Sequence, residues 1–151
     1  MYYKSPIYFF DENHREINLT VKTTPIGKQR PRAARRGNYI QIYTPRKTAD
    51  YEKQIKKAYQ KEYKDLKLEG ALEVDILGFF EPAKHESKKT KEKMLKNEIK
   101  FTKKPDCDNI IKPVLDGLNN VAYHDDSQIC RLIAEERYGH FSKIDICIKQ
   151  L

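Results

Sequence analysis

The apolar residues of this chain change their spacing along its length, and the order of those changes restricts the fold more than any other feature. Residues 15–23 alternate, with Ile17, Leu19 and Val21 on one side, as a half-buried strand requires. Tyr39, Ile40, Gln41, Ile42 and Tyr43 make a second short extended run. From about Arg46 to Tyr63 the spacing becomes helical: Tyr51, Ile55, Ala58, Tyr59 and Tyr63 line one face and lysines cover the others. Thr44 as a cap and Pro45 in the first turn mark where that helix begins. After Gly70, residues 71–80 return to period two, with Leu72, Val74 and Ile76 alternating with Glu73 and Asp75.

Ser87 is placed to cap a short helix running to about Asn97. A second core helix covers 109–118, where Ile110, Ile111, Val114, Leu115 and Leu118 are apolar; Pro113 inside it requires a later start or a distorted first turn. Residues 129–138 and 143–149 close the chain as strands. Gly139-His140 between them predicts an antiparallel hairpin. This order predicts an α+β fold: one domain over residues 1–151, with a mixed β-sheet and two main helices packed on it.

No run approaches the ~18 apolar residues of a membrane span. Residues 1–4 lack the pattern of a secretory signal. An unexported, soluble, cytoplasmic protein with no membrane partner is expected. Cys107, Cys130 and Cys147 form an odd set without CxxC spacing, which predicts reduced thiols packed as small core residues.

The formal net charge is +8, but it is unevenly spread. Lys28, Arg30, Arg32, Arg35 and Arg36 fall within nine residues that contain no acid and read as a basic loop over 28–38. The excursion at 81–104 holds nine lysines against four glutamates, a composition suited to a solvated, mobile surface segment. Residues 106–126 reverse the sign, with five aspartates against Lys112 alone. Clustered carboxylates repel unless a cation or a proton neutralises them. On a chain whose remaining surface attracts phosphate, such a cluster makes sense if it captures a divalent metal and presents it to a phosphodiester.

Asp106 and Asp108 stand two residues apart where a loop enters a helix, and hard oxygen ligands of this kind suit Mg²⁺ or Mn²⁺. On the residues alone Asp108 reads equally well as a helix N-cap, and Asp125-Asp126 as solvated turn formers. An EF-hand is a poor alternative, because counting from Asp106 places Ile111 where Gly is needed and Gly117 where Glu is needed. His14, His85, His124 and His140 form no ligand pattern, although His124 abuts Asp125.

The run KPDCDNIIKPVLDGLNN followed by HDDSQI resembles the signature of the RusA family of Holliday-junction endodeoxyribonucleases, found in bacteria and their phages. The upstream GKQRPRAARRGNYIQIYTPRKTADYE is similar to the N-terminal half of phage and prophage members, so the resemblance spans about 21–148. It implies that Asp106, Asp108 and Asp126 are metal-binding carboxylates, with Lys112 as catalytic lysine and Asp125 in support. It also implies homodimers that incise opposite strands of a four-way junction in DNA recombination and repair. The excursion at 81–104 is longer than in the most compact members.

The expected mechanism is Mg²⁺-dependent phosphodiester hydrolysis of branched DNA, with Lys112 one helical turn from Asp108 stabilising developing charge. An alternative use of Lys112 is an ion pair with Asp108 or Asp116 at i,i+4 spacing. Arg30, Arg32, Arg35 and Arg36, with Lys28, are expected to hold the phosphate backbone. The rival readings are a metal-dependent nuclease for other structured DNA or RNA, and a non-catalytic branched-DNA-binding protein.

Overall fold

In the computed structural model, which describes residues 15–151, Ile17, Leu19 and Val21 lie buried along one side of β1 (Glu16–Val21), as their alternation requires. The readings of residues 1–4 and of His14 lie outside the described residues. After β2 (Arg32–Arg36) and β3 (Tyr39–Tyr43) come α1 (Arg46–Tyr63), β4 (Leu72–Phe80), α2 (Lys88–Leu95), α3 (Cys107–Leu118), β5 (Ile129–Tyr138) and β6 (Lys143–Gln150). Four strands form a mixed sheet in the order β1-β6-β4-β5, and β2 with β3 forms a separate antiparallel ribbon. This is the α+β architecture the sequence predicts, with α2 as a third, shorter helix.

Helix α1 follows the predicted spacing: Tyr51, Ile55, Tyr59 and Tyr63, one turn apart, are all buried. In α3 the buried triplet is Ile110, Val114 and Leu118. The two helices touch at Gly117, where an added Cβ would sit 2.8 Å from the Glu52 carbonyl oxygen. The start of α1 is not capped as expected. Pro45 occupies the N-cap position, no side chain caps the turn, and the Pro45 carbonyl accepts the Ala49 N–H at 3.1 Å.

The predicted β5-β6 hairpin is not formed. Strand β4 lies between them, parallel to β5 and antiparallel to β6. Leu72, Val74, Ile76, Leu77 and Phe80 of β4 are buried, as a strand with neighbours on both edges requires. β5 is delivered to one edge by a crossover that includes α3, which a parallel pairing demands. The chain then passes over the end of β4, where the Gly139 N–H donates to the Phe80 carbonyl at 2.9 Å, and returns on the other edge as β6.

The excursion at 81–104 is tied to the sheet, which an all-solvent reading of its lysines misses. Ser87 caps α2 as predicted, its Oγ accepting the Thr90 N–H at 3.1 Å. Met94 is buried, and the Phe101 ring stacks on Phe80 at 4.1 Å between centroids. The cysteines are free but not core residues: Cys107 and Cys147 are half-buried and Cys130 is exposed. Each lies off the packed face. Cys107 opens α3, Cys130 sits beside an irregularity in the β4-β5 pairing, and Cys147 reaches the Glu16 carboxylate. Among the described residues no helix is long and apolar enough to cross a membrane.

Candidate active site

Asp106 occupies the N-cap position of α3 and Asp108 lies in its first turn. Asp106 makes no capping hydrogen bond. Its carboxylate instead receives Lys104 Nζ at 2.6 Å. Among the described residues Asp108 has neither a hydrogen bond nor an ion pair, so the capping alternative does not describe it either. Two exposed carboxylates therefore stand at the electropositive end of a helix, neither of them capping it.

Pro113 does not delay the helix or break it. Its missing N–H leaves the Asn109 carbonyl, four residues earlier, without an intrahelical partner. That oxygen accepts the backbone N–H of Lys28 at 3.2 Å. Gly27 makes the approach possible, since a Cβ there would fall 2.5 Å from Asn109 Nδ2 and 3.2 Å from Pro105 Cβ. The Lys28 side chain then bonds Asp116 and reaches Glu52 at 3.4 Å. Burial pulls its pKa down, but bonding to Asp116 and the charges of Asp116 and Glu52 outweigh that and the net shift is upward. Lys28 is thus a clasp between the base of the basic segment and both helices, turned away from solvent anions. Asp116 is engaged by Lys28, and among the described residues the alternative ion pair of Lys112 with Asp108 or Asp116 is not formed. Lys112 stays exposed one turn beyond Asp108.

One residue of this region escaped the sequence reading. Glu136 pairs with Gly78 across the β4-β5 ladder, and a Cβ at Gly78 would meet Ile110 of α3 at 3.1 Å. Glu136 consequently faces the first turns of α3, and its Oε1 is sealed from solvent with no hydrogen-bond partner among the described residues. Burial, then the charges of Asp106 and Asp108, push its carboxyl up to about 7. The available signal was strand alternation: Tyr138, two residues on, is buried, whereas Glu135 binds Arg137 at 2.6 Å on the other side.

Asp125 and Asp126 sit elsewhere. Asp125 caps a single 3₁₀ turn, Asp126–Gln128, accepting the Ser127 N–H at 3.3 Å, while Gln128 Oε1 accepts the Asp125 N–H at 3.1 Å. The bonds to Ser127 hold the Asp125 carboxyl below its usual range. Gln128 Nε2 anchors the turn to the Leu68 and Gly70 carbonyls. Ile129 therefore lies opposite Leu72 and Glu136 opposite Gly78, seven residues and about 23 Å apart along β5. A single chain brings Asp106 and Asp108 to Glu136, and places Asp125 and Asp126 at the other end of the strand.

Among the described residues no three His, Cys, Asp or Glu side chains converge as a ready metal site. The donor chemistry at the α3 entrance still fits a divalent ion: hard carboxylate oxygens, one of them unpartnered and sealed beside two further negative groups.

The basic segment is not the loop it resembles in composition. Arg32–Arg36 forms β2, paired antiparallel with β3 around Gly37-Asn38, because Tyr39–Tyr43 supplies a complete cross-strand partner. The ribbon is exposed on both faces, with Ile40 71% and Ile42 73% accessible. Arg30, Arg32, Arg35 and Arg36 are exposed, and among the described residues none meets an acid.

The structure is a mixed-sheet α+β domain with two exposed carboxylates at a helix entrance and a projecting cationic ribbon. The chain belongs to the RusA endodeoxyribonuclease family, whose model matches residues 22–149. It is also similar to the uncharacterized protein YqaN of Bacillus subtilis (strain 168), with 28% identity over 137 residues that cover 89% of this chain and 96% of the relative.

Proposed function

We propose that this chain hydrolyses phosphodiesters at four-way DNA junctions, with Mg²⁺ or the chemically similar Mn²⁺ held by Asp106, Asp108 and Asp126. The observation that carries the reading is the pair of exposed carboxylates at the α3 entrance, Asp106 held only by the exposed Lys104 and Asp108 by no side chain among the described residues, beside a Glu136 Oε1 with no hydrogen-bond partner among them, in a member of the RusA family. When bound, the ion supplies Lewis acidity toward the phosphate and toward the attacking water. Lys112, exposed and without an ion-pair partner among the described residues, one turn from Asp108, stabilises charge as it builds on the phosphoryl oxygens. Asp125 acts indirectly by fixing the turn that carries Asp126.

Arg30, Arg32, Arg35 and Arg36 take the phosphate backbone, giving position and affinity rather than sequence reading. Lys28 serves them as an anchor. The role is a cytoplasmic one in DNA recombination and repair, performed by a homodimer. Asp108→Asn and Asp126→Asn variants test the assignment: each is expected to bind a synthetic junction and to leave it uncut. Cleavage at the unmodified rate by either variant would overturn it.

A further inference from the structure

We propose that β3 of the exposed ribbon holds unstacked base faces at the branch point of the DNA, while the arginines of β2 take the phosphates around it. The inference rests on the junction reading above and deepens it by assigning the residues that tell a branch from plain duplex.

The first ground is the register. Arg32 lies opposite Tyr43, Ala33 opposite Ile42, Ala34 opposite Gln41, Arg35 opposite Ile40 and Arg36 opposite Tyr39. Paired residues share a face, and neighbours along a strand alternate. One face therefore carries Tyr39, Tyr43 and Gln41 with Arg32 and Arg36, and the other carries Ile40, Ile42 and Ala33 with Arg35. Neither is covered: Tyr39 is 63% accessible, and Ile40 and Ile42 more so. The tip is open as well, since a Cβ on Gly37 would meet nothing within 4 Å.

The second ground is what such faces can bind. Four large apolar side chains within five residues are a patch, not scatter. Strand propensity explains β-branched and aromatic residues in β3, but threonine would satisfy it without setting apolar surface in water. The occupant has to be apolar and has to suit arginines on both faces. Bases at a break in the helical stack meet both conditions, because their planar faces are edged by phosphates. Tyrosine stacks on any base, and isoleucine serves as a wedge at unstacked steps. Intact duplex meets only the condition of charge. Its base faces are hidden in the stack, its grooves show polar edges, and opening a step in it is costly.

The third ground is position. The root of the ribbon is clamped twice, by the Lys28 N–H on the Asn109 carbonyl at 3.2 Å and by the Gln29 N–H on Thr48 Oγ1 at 3.4 Å. Asn109 follows directly on Asp108. The paired part, five residues a side, extends about 17 Å. A branch held on β3 is thus kept close to the α3 carboxylates.

Binding without metal to a synthetic four-way junction and to linear duplex tests the proposal. Threonine keeps the strand propensity, so Ile40→Thr/Ile42→Thr and Tyr39→Thr/Tyr43→Thr remove only the apolar contacts. Each double variant is expected to bind the junction at least about tenfold more weakly, the order of one lost base stack, with duplex affinity and the salt slope unchanged. Unchanged junction affinity, or equal weakening on both DNAs, overturns the proposal. So does a change of sedimentation in the free protein without loss of junction affinity, which would make the patch a contact between copies.

A second measurement uses the unmodified protein and does not depend on how the variants fold. 5-Iodouracil is placed at the branch or in the middle of an arm, irradiated in the complex, and the cross-linked residue is mapped by mass spectrometry. Cross-links to Tyr39 or Tyr43 from the branch alone are expected. Cross-links to them from the arm alone, or none to the ribbon, overturn the assignment. If both measurements come out as expected and the protein with Mg²⁺ leaves the junction uncut, the ribbon assignment stands and the hydrolytic reading falls. If the junction is cut while the threonine variants bind it as the wild type does, the hydrolytic reading stands and the ribbon assignment falls.

Discussion

The backbone N–H of Lys28 donates to the carbonyl oxygen of Asn109 at 3.2 Å, an acceptor left open because Pro113 has no N–H to fill it. A proline that looks like a defect in the site helix thus registers the strap leading to the basic ribbon against the helix that carries Asp108 and Lys112. Pro113→Ala restores a competing donor. Amide hydrogen exchange at Lys28 should accelerate about fivefold, the equivalent of a net hydrogen bond of about 1 kcal/mol. Unchanged protection would show that the strap is held by other contacts.

The two kinds of cation in the basic segment should separate experimentally. Replacing Arg35 and Arg36 together by Gln should reduce the slope of junction affinity against salt by up to about two units, since each phosphate contact contributes about 0.9. Lys28→Met, whose ammonium is committed to Asp116 and Glu52, should leave the slope alone and lower stability by about 1 kcal/mol. Salt titrations and thermal melts of the three proteins make the comparison.

Gly117→Ala should destabilise the domain even though alanine favours helix by about 1 kcal/mol. The new methyl would meet the Glu52 carbonyl oxygen at 2.8 Å and Ile55 Cβ at 3.0 Å, both fixed parts of α1. A net loss of about 1–3 kcal/mol in urea unfolding is expected from forced separation of the helices.

Glu136 should give the metal-free protein a characteristic pH dependence. Its carboxyl is raised from the ordinary 4.5 to about 7 in the folded chain. Below 4.5 it is protonated in both states and costs nothing. As the pH rises through that window the unfolded chain sheds the proton first, so native stability falls until the folded carboxyl also ionises. Glu136→Gln should therefore melt higher than the wild type at pH 8 and equally at pH 4, and added Mg²⁺ should narrow the gap. Identical melting at pH 8 would contradict the placement of Glu136 against Asp106 and Asp108.

Much of this architecture was legible because period and burial coincide. Ile17, Leu19 and Val21, the face of α1 from Tyr51 to Tyr63, and Ile144, Ile146 and Ile148 are buried as their spacing requires. The β5-β6 hairpin was misread because Gly139-His140 has turn chemistry whatever strand lies beneath it, and the insertion of β4 depends on partners distant in sequence. Composition concealed β2 for a related reason: arginine-rich residues pair as a strand only because β3 is adjacent. At the site, Asp106 and Asp108 stood out by local spacing. Glu136 did not, since its role comes from the register with Gly78 and from the path of α3 above it. The separation of Asp126 from them is also a property of the assembled sheet, set by the length of β5.

Cleavage of a synthetic four-way junction by the purified protein, with and without Mg²⁺ and beside linear duplex and RNA controls, bears most directly on the account. It predicts symmetric paired nicks in the junction that require the metal, and little cutting of either control. Metal-independent binding without nicks, or equal cutting of duplex or RNA, would contradict it.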